Sequence, residues 1–200
     1  MSDPSSDPSS DPWNGVTSST PGPGTSQVPT GSEIEAASRQ RLLDQLSELG
    51  IETSVVDYPA HSTVEEGKAL RAQMHMSGTF TKNLFLRDKK NRLFLVSAHE
   101  DTAVDLKTLH TRIGAQGRLG FASPELMRDL LAIEPGTVTP MGLMNDTSGV
   151  VTCVLEERLL GEEQINFHPM VHTESIGLSP QELLTFLASC DHSPTVVQLD

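Results

Sequence analysis

Three positions pair a residue type able to do chemistry with a setting that could use it. Lys82 stands near the start of Thr81-Lys82-Asn83-Leu84-Phe85-Leu86-Arg87, a run that alternates as a β-strand does. An ammonium that enters an apolar strand loses hydration, and that cost is offset when it meets an anion such as a phosphate. Gly136 and Gly142 bracket Gly136-Thr137-Val138-Thr139-Pro140-Met141-Gly142, whose backbone amides could approach a ligand closely because glycine places no side chain in the way. His168 lies at the end of a short apolar run, directly before Pro169, where a side chain can face a cleft. Each residue also has an ordinary reading: a surface lysine, a turn glycine, a hydrogen-bonded structural histidine. Residue types alone leave both readings open.

Several other chemistries find no support. The chain has no G-x-S-x-G elbow, no P-loop and no G-x-G-x-x-G, which removes the simplest hydrolase and nucleotide-binding readings. His168 and His172 are four residues apart, a spacing that suits zinc on a helix, but Pro169 between them makes a helix improbable and no third ligand follows a pattern. No metal and no other cofactor is expected.

Across 200 residues the formal net charge is −13, which argues against a protein that coats nucleic acid by bulk electrostatics. The charge is uneven, however. Eleven of the fourteen basic residues fall between Lys68 and Arg128 against five acids, a local net of +6, so one basic face could still grip a polyanion. Cys153 and Cys190 have no metal spacing, and Cys153 lies in an apolar run where a thiol is usually a small buried hydrophobe. A disulfide framework is not expected. No apolar stretch approaches the roughly 20 residues that span a bilayer, and no signal peptide is read at the N-terminus. A cytoplasmic location, without membrane contact, is the expectation.

Residues 1–32 repeat Ser-Asp-Pro and then Pro-Gly, a low-complexity composition that offers little to bury, and they are expected to form a disordered tail. Trp13, the sole tryptophan, lies there. The domain is expected over 33–200. Leu42, Leu43, Leu46 and Leu49 form a helical stripe stopped by Gly50, and 51–58 reads as a strand ended by Pro59. Thr63 and Glu66 fit a capping box that opens a helix to about Met76. Residues 81–87 and 92–98 form a predicted hairpin. A short helix over 105–113 and a brief strand over 118–121 follow. Ser123-Pro124-Glu125 opens a helix that ends before Pro135, and 136–142 is a structured, non-helical loop. Strands over 149–156 and 164–168, a capped helix from Ser179 to Ala188, and an edge strand over 195–199 complete the chain. Hairpins mixed with crossovers predict an α/β fold with a mixed sheet.

Taken in order, Thr63-Val64-Glu65-Glu66, Thr81-Lys82-Asn83-Leu84-Phe85-Leu86, Val104-Asp105-Leu106-Lys107, Gly136-Thr137-Val138-Thr139-Pro140 and Phe167-His168-Pro169 resemble the landmarks of the YbaK/prolyl-tRNA-synthetase editing-domain family. The nearest likeness is to its freestanding PrdX-like deacylases, also called ProXp-ala, which clear alanine mischarged on proline tRNA. The resemblance spans about Leu42 to the C-terminus. It implies a single compact domain with a curved mixed sheet flanked by helices. It also implies hydrolysis of the ester joining an amino acid to the terminal adenosine of tRNA, without metal or covalent enzyme intermediate. By match, the functional residues are Lys82, Gly136 and His168, with Thr63, Asn83, Pro140, Gly142 and His172 expected to contact substrate. The implied partner is the aminoacylated 3′ end of tRNA, with prolyl-tRNA synthetase as a possible second; DNA is not expected.

One position departs from that pattern. His172 stands where an asparagine is expected after the His-Pro pair, and a bulkier imidazole there bears on pocket size and hence on which amino acid is removed. Deacylation of cysteinyl, seryl or threonyl esters, or a non-catalytic module that only docks tRNA or a synthetase, are the competing readings. The basic stretch from Lys68 through Arg92 is where acceptor-stem contacts are expected.

Overall fold

The strand Leu93–His99 (β3) is buried along its whole length, and the fold is arranged around it. Its odd-numbered apolar residues join one core and its even-numbered ones another, as the two-residue period of a strand covered on both faces requires. The computed structural model describes residues 31–57, 59 and 64–199. Thr63, with the capping box it was expected to start, lies outside these residues, as do Tyr58 and nearly all of the low-complexity N-terminal segment, including Trp13.

The remaining elements are α1 (Gly31–Glu48), β1 (Val55–Asp57), α2 (Val64–Gln73), β2 (Thr79–Arg87), α3 (Leu106–Arg112), β4 (Gly120–Phe121), α4 (Pro124–Leu126), β5 (Val151–Glu156), β6 (Ile165–Phe167), β7 (Glu174–Leu178), α5 (Pro180–Ser189) and β8 (Thr195–Val197). They build a mixed α/β domain on one eight-stranded sheet in the order β1-β7-β6-β2-β3-β5-β8, with β4 added beside β2. The pairs β2–β6, β3–β5 and β5–β8 are parallel and the others antiparallel. On one face, Leu42 and Leu46 of α1 and Leu183, Phe186 and Leu187 of α5 share a core with Phe85, Leu95, Leu155 and Phe167. On the other, Leu109 and Ile113 pack against Leu86, Phe94, Val96 and Leu199. Cys153 belongs to the first core, and burial pushes its thiol up to about 12.

Local chemistry accounts for most element ends. Gly50 takes φ +71° just past α1, and Asp105 caps α3 by accepting from the Lys107 amide. Ser179 and Glu182 form the full capping box of α5. Four elements differ from the sequence reading. The strand expected over 51–58 is three residues long, Val55–Asp57. The helix from Ser123 has one α-helical turn and continues as a π-helix over Met127–Leu131, ended by Ala132 in the left-handed region. The loop after Thr139 becomes a 3-10 helix, Pro140–Asn145, because Pro140 at its first position and the Thr139 side chain as its cap favour a tight turn. Strand β7 had not been expected at all. Only Ser175, Ile176 and Leu178 of it are buried, and Gly177 interrupts the pattern, so its apolar signal is weak.

The β2–β3 hairpin is tied by the buried carboxylate of Asp88. One oxygen accepts from the amides of Lys90 (2.8 Å) and Arg92 (3.0 Å), the other from the Gln116 amide and Arg92 Nε (both 2.8 Å). Burial alone would raise the pKa of this group. The donors from Gln116, Arg92 and Lys90 outweigh it and lower the pKa from 3.8 to about 2. The folded value lies below the unfolded one, so this stabilisation is complete above the unfolded value and is lost as pH falls through the folded one. Asp88→Asn should therefore lower the melting temperature at neutral pH and make its decline between roughly pH 4 and pH 2 shallower than in wild type. Parallel acid limbs in thermal melts would remove Asp88 as the source.

Candidate functional site

Strand β2 is covered unevenly on the side away from β3. Strand β6 pairs with Thr79 and Phe80, β4 pairs with Leu86 and Arg87, and the stretch between them has no strand neighbour there. A cavity of about 390 Å³ opens along this gap, with Thr81 to Phe85 as one wall. Its volume falls within the roughly 300–1,000 Å³ of small-molecule sites. Lys82, Asn83, Gly136 and His168 all line it, although 86 residues separate the first from the last. Leu84, Phe85, Phe121, Met127 and Val138 supply apolar wall.

Lys82 is half-buried, and among the described residues it enters no ion pair. Lys68, Arg71 and Arg92, by contrast, pair with Asp101, Glu100 and Asp88. Part of the basic stretch singled out in the sequence is thus already neutralised within the fold. Lys82, on the cavity wall, has no such ion pair among the described residues.

The Asn83 amide is oriented by a relay. The Thr81 hydroxyl donates to the Asn166 carbonyl (3.2 Å), so it can only accept from Asn83 Nδ2 (3.3 Å). That leaves Asn83 Oδ1 as a buried acceptor without a hydrogen-bond partner among the described residues. An acceptor in that position is suited to a hydrogen bond from a donor on a bound molecule.

Gly136 sits at φ +99°, in an exposed turn where an added Cβ would meet nothing within 4 Å. Its requirement for glycine is conformational, not steric. The turn is closed by Thr137, whose amide (3.1 Å) and hydroxyl (2.7 Å) both donate to the Glu134 carbonyl, so the Gly136 amide is not used in closing it. Thr137 and Thr139 are buried, and the Glu134 carboxylate binds Arg128 Nε at 2.9 and 3.0 Å, which pins the loop to the π-helix.

His168 follows β6 directly, and its Nδ1 lies 3.0 Å from the Glu174 carbonyl. A carbonyl only accepts, so Nδ1 carries the proton, and in the neutral ring Nε2 is an acceptor. Glu174 opens β7 and its carboxylate is ion-paired with Arg39 of α1. The Glu174 carbonyl is a partner of His168 that the sequence did not reveal, because the contact is made by backbone in a strand with a weak pattern.

The other expected contacts lie elsewhere. Pro140 and Gly142 are buried in the 3-10 helix behind the loop, where a Cβ on Gly142 would stand 3.2 Å from the Leu131 Cβ. His172 is exposed in the β6–β7 turn. None of these three is among the residues that line the cavity. A second hollow, of about 430 Å³, lies by β1, β6, β7 and the end of α2; it is lined by polar groups such as Glu52, His75 and Gln164 and holds none of the expected residues.

Comparison with known proteins matches residues 59–186 to the model of the aminoacyl-tRNA editing domain. The chain belongs to that family. It is 39% identical over 164 residues to a prolyl-tRNA synthetase associated domain-containing protein 1 from Danio rerio, an alignment covering 81% of this chain and 88% of that one. It is 33% identical over 151 residues to the prolyl-tRNA editing protein ProX of Acetoanaerobium sticklandii, covering 75% and 90%. Among solved structures, a candidate trans-editing enzyme for prolyl-tRNA synthetase superposes with a TM-score of 0.61 at 23% identity, over 80% of this chain and 96% of that one. This last likeness speaks for the fold.

Proposed function

We propose that this editing-domain protein acts in trans as a deacylase of mischarged aminoacyl-tRNA, with alanine on proline tRNA as its first substrate. The observation that carries the reading is that Lys82, Gly136 and His168, remote in sequence, line one cavity of a size suited to an aminoacylated terminal nucleoside. An aminoacyl ester is already activated, so placement of the ester before a water and stabilisation of the developing oxyanion suffice.

In this scheme Lys82 holds a 3′-terminal phosphate as a point charge. The Gly136 amide faces the ester carbonyl. Asn83 Oδ1 accepts from the substrate's ammonium or hydroxyl groups, and His168, held through Nδ1, shapes the pocket beside it. The short apolar wall of Leu84, Met127 and Val138 receives the amino-acid side chain. The water oxygen bonds to the carbonyl carbon, the bond from that carbon to the ribose oxygen breaks, and a proton passes to the ribose oxygen. The products are a free amino acid and an uncharged tRNA. The substrate's own free ribose hydroxyl is available to orient the water.

The test is deacylation of alanyl-, cysteinyl-, seryl- and threonyl-tRNA side by side. Alanine on proline tRNA should turn over fastest, although a single methylene discriminates by only about 1–3 kcal/mol. Faster turnover of another ester would change the substrate. Binding of tRNA without any ester turnover would replace the enzyme by a docking module.

A further inference from the structure

Phe121 exposes 65% of its surface, more than any other large apolar residue described; Val150 follows at 51%. An aromatic ring left in water at the rim of a cavity is a feature that the chemistry above does not use. Its backbone is nonetheless fixed. Phe121 is in register with Leu86, the following amide of Ala122 donates to the Phe85 carbonyl (2.9 Å), and Leu119 and Ala122 on either side are buried. The ring is thus presented by an anchored two-residue strand and lines the same cavity as Lys82, Gly136 and His168.

The charges beside it indicate what it meets. Arg87 is in register with Gly120, next to Phe121, and Arg118 lies three residues before the ring. Both are exposed, and neither enters an ion pair among the described residues. Two exposed guanidinium groups without ion pairs favour an anionic partner over a purely apolar protein segment. A single-stranded nucleic acid needs both features, a π-face for the base and cations for the phosphates.

We infer that Phe121 is the stacking platform for the terminal nucleobase of the tRNA 3′ end, with Arg87 and Arg118 neutralising phosphates upstream of the one held by Lys82. The inference rests on the deacylase reading for its ligand. It adds a residue that reads the nucleotide by its flat face and positions the ester without touching the reacting atoms. Stacking of this kind tolerates any base, so Phe121 contributes affinity and register and leaves sequence choice to other contacts.

The experiment uses the full chain in two arms. In the first, uncharged tRNA carries 2-aminopurine at its 3′-terminal position, and its fluorescence is followed on titration with protein. Wild type should quench it. Phe121→Ala should abolish the quench, Phe121→Trp should retain it, and Phe121→Leu, which keeps apolar bulk without a π-face, should lose it. In the second arm, steady-state deacylation by Phe121→Ala should show kcat/KM lowered roughly 5- to 150-fold, mostly through KM, the span that stacking one base covers. Val196→Ser, an exposed apolar position on β8, should behave as wild type.

Equal quenching by wild type and Phe121→Ala, or full function in Phe121→Leu, would overturn the platform. The arms separate the two ideas. A wild type that quenches through Phe121 but hydrolyses no ester would sink the deacylase reading and keep the platform. Ester hydrolysis by wild type that Phe121→Ala matches in kcat/KM would do the reverse.

Discussion

Lys82→Ala should lower kcat/KM for aminoacyl-tRNA by roughly 10- to 150-fold, the equivalent of one charge-assisted hydrogen bond of about 1.5–3 kcal/mol. The melting temperature should stay close to wild type, because the half-buried ammonium has no ion pair to lose among the described residues. A second signature isolates the phosphate. Removing one contact to a single strand should reduce the slope of log affinity against log salt by about 0.7. Lys82→Arg keeps the charge but replaces a compact ammonium with a planar fork, so it should recover part of the affinity and less of the rate. Full activity in Lys82→Ala, or an unchanged salt slope, would remove the phosphate anchor.

The other large effect belongs to Gly136. Gly136→Ala should reduce kcat by about 10²–10³-fold, the loss seen when one oxyanion donor is withdrawn, with KM changing much less. No clash is involved, since the space beside Gly136 is open. The cost arises because an L-residue resists φ +99°, a strain of about 1–2 kcal/mol that the loop can relieve by turning the peptide away from the cavity. Gly142→Ala provides the contrast: its Cβ would press on Leu131, so its first effect should be a lower melting temperature. Comparing kcat with thermal melts for the two variants distinguishes a donor from a packing position. Gly136→Ala with wild-type kcat would leave the oxyanion to another group.

How much of this could be read from the sequence depended on where each signal lay. The β2–β3 hairpin, the short helix α3 and the capping box of α5 were visible because side-chain periodicity and capping chemistry are local, whereas the Asp105 cap of α3 came from the structure. Lys82, Gly136 and His168 stood out as residue types, and their order resembled a family. Only the fold could show that one gap in the sheet gathers them. Strand β7 stayed hidden because Gly177 breaks its alternation, and with it went the Glu174 carbonyl that sets the His168 tautomer. Pro140 and Gly142 share a motif with Gly136 but serve the loop from behind, since a 3-10 helix turns them into the core. Phe121 escaped notice because an exposed aromatic looks the same in sequence as a buried one.

The uncovered middle of β2 also bears on solubility. An unpaired strand edge with apolar neighbours is where a second copy of the chain can add by hydrogen-bonding along it, and proteins guard such edges with short length, charge or cover. Here the open stretch is short and is flanked by β4 and β6, and Lys82 stands within it. The lysine proposed to hold a phosphate is therefore also the charge that discourages edge-to-edge association. Anchoring a phosphate and keeping the protein monodisperse are then coupled demands on one side chain. Light scattering on Lys82→Ala, beside its kinetics, would show how far the second task rests on that single charge.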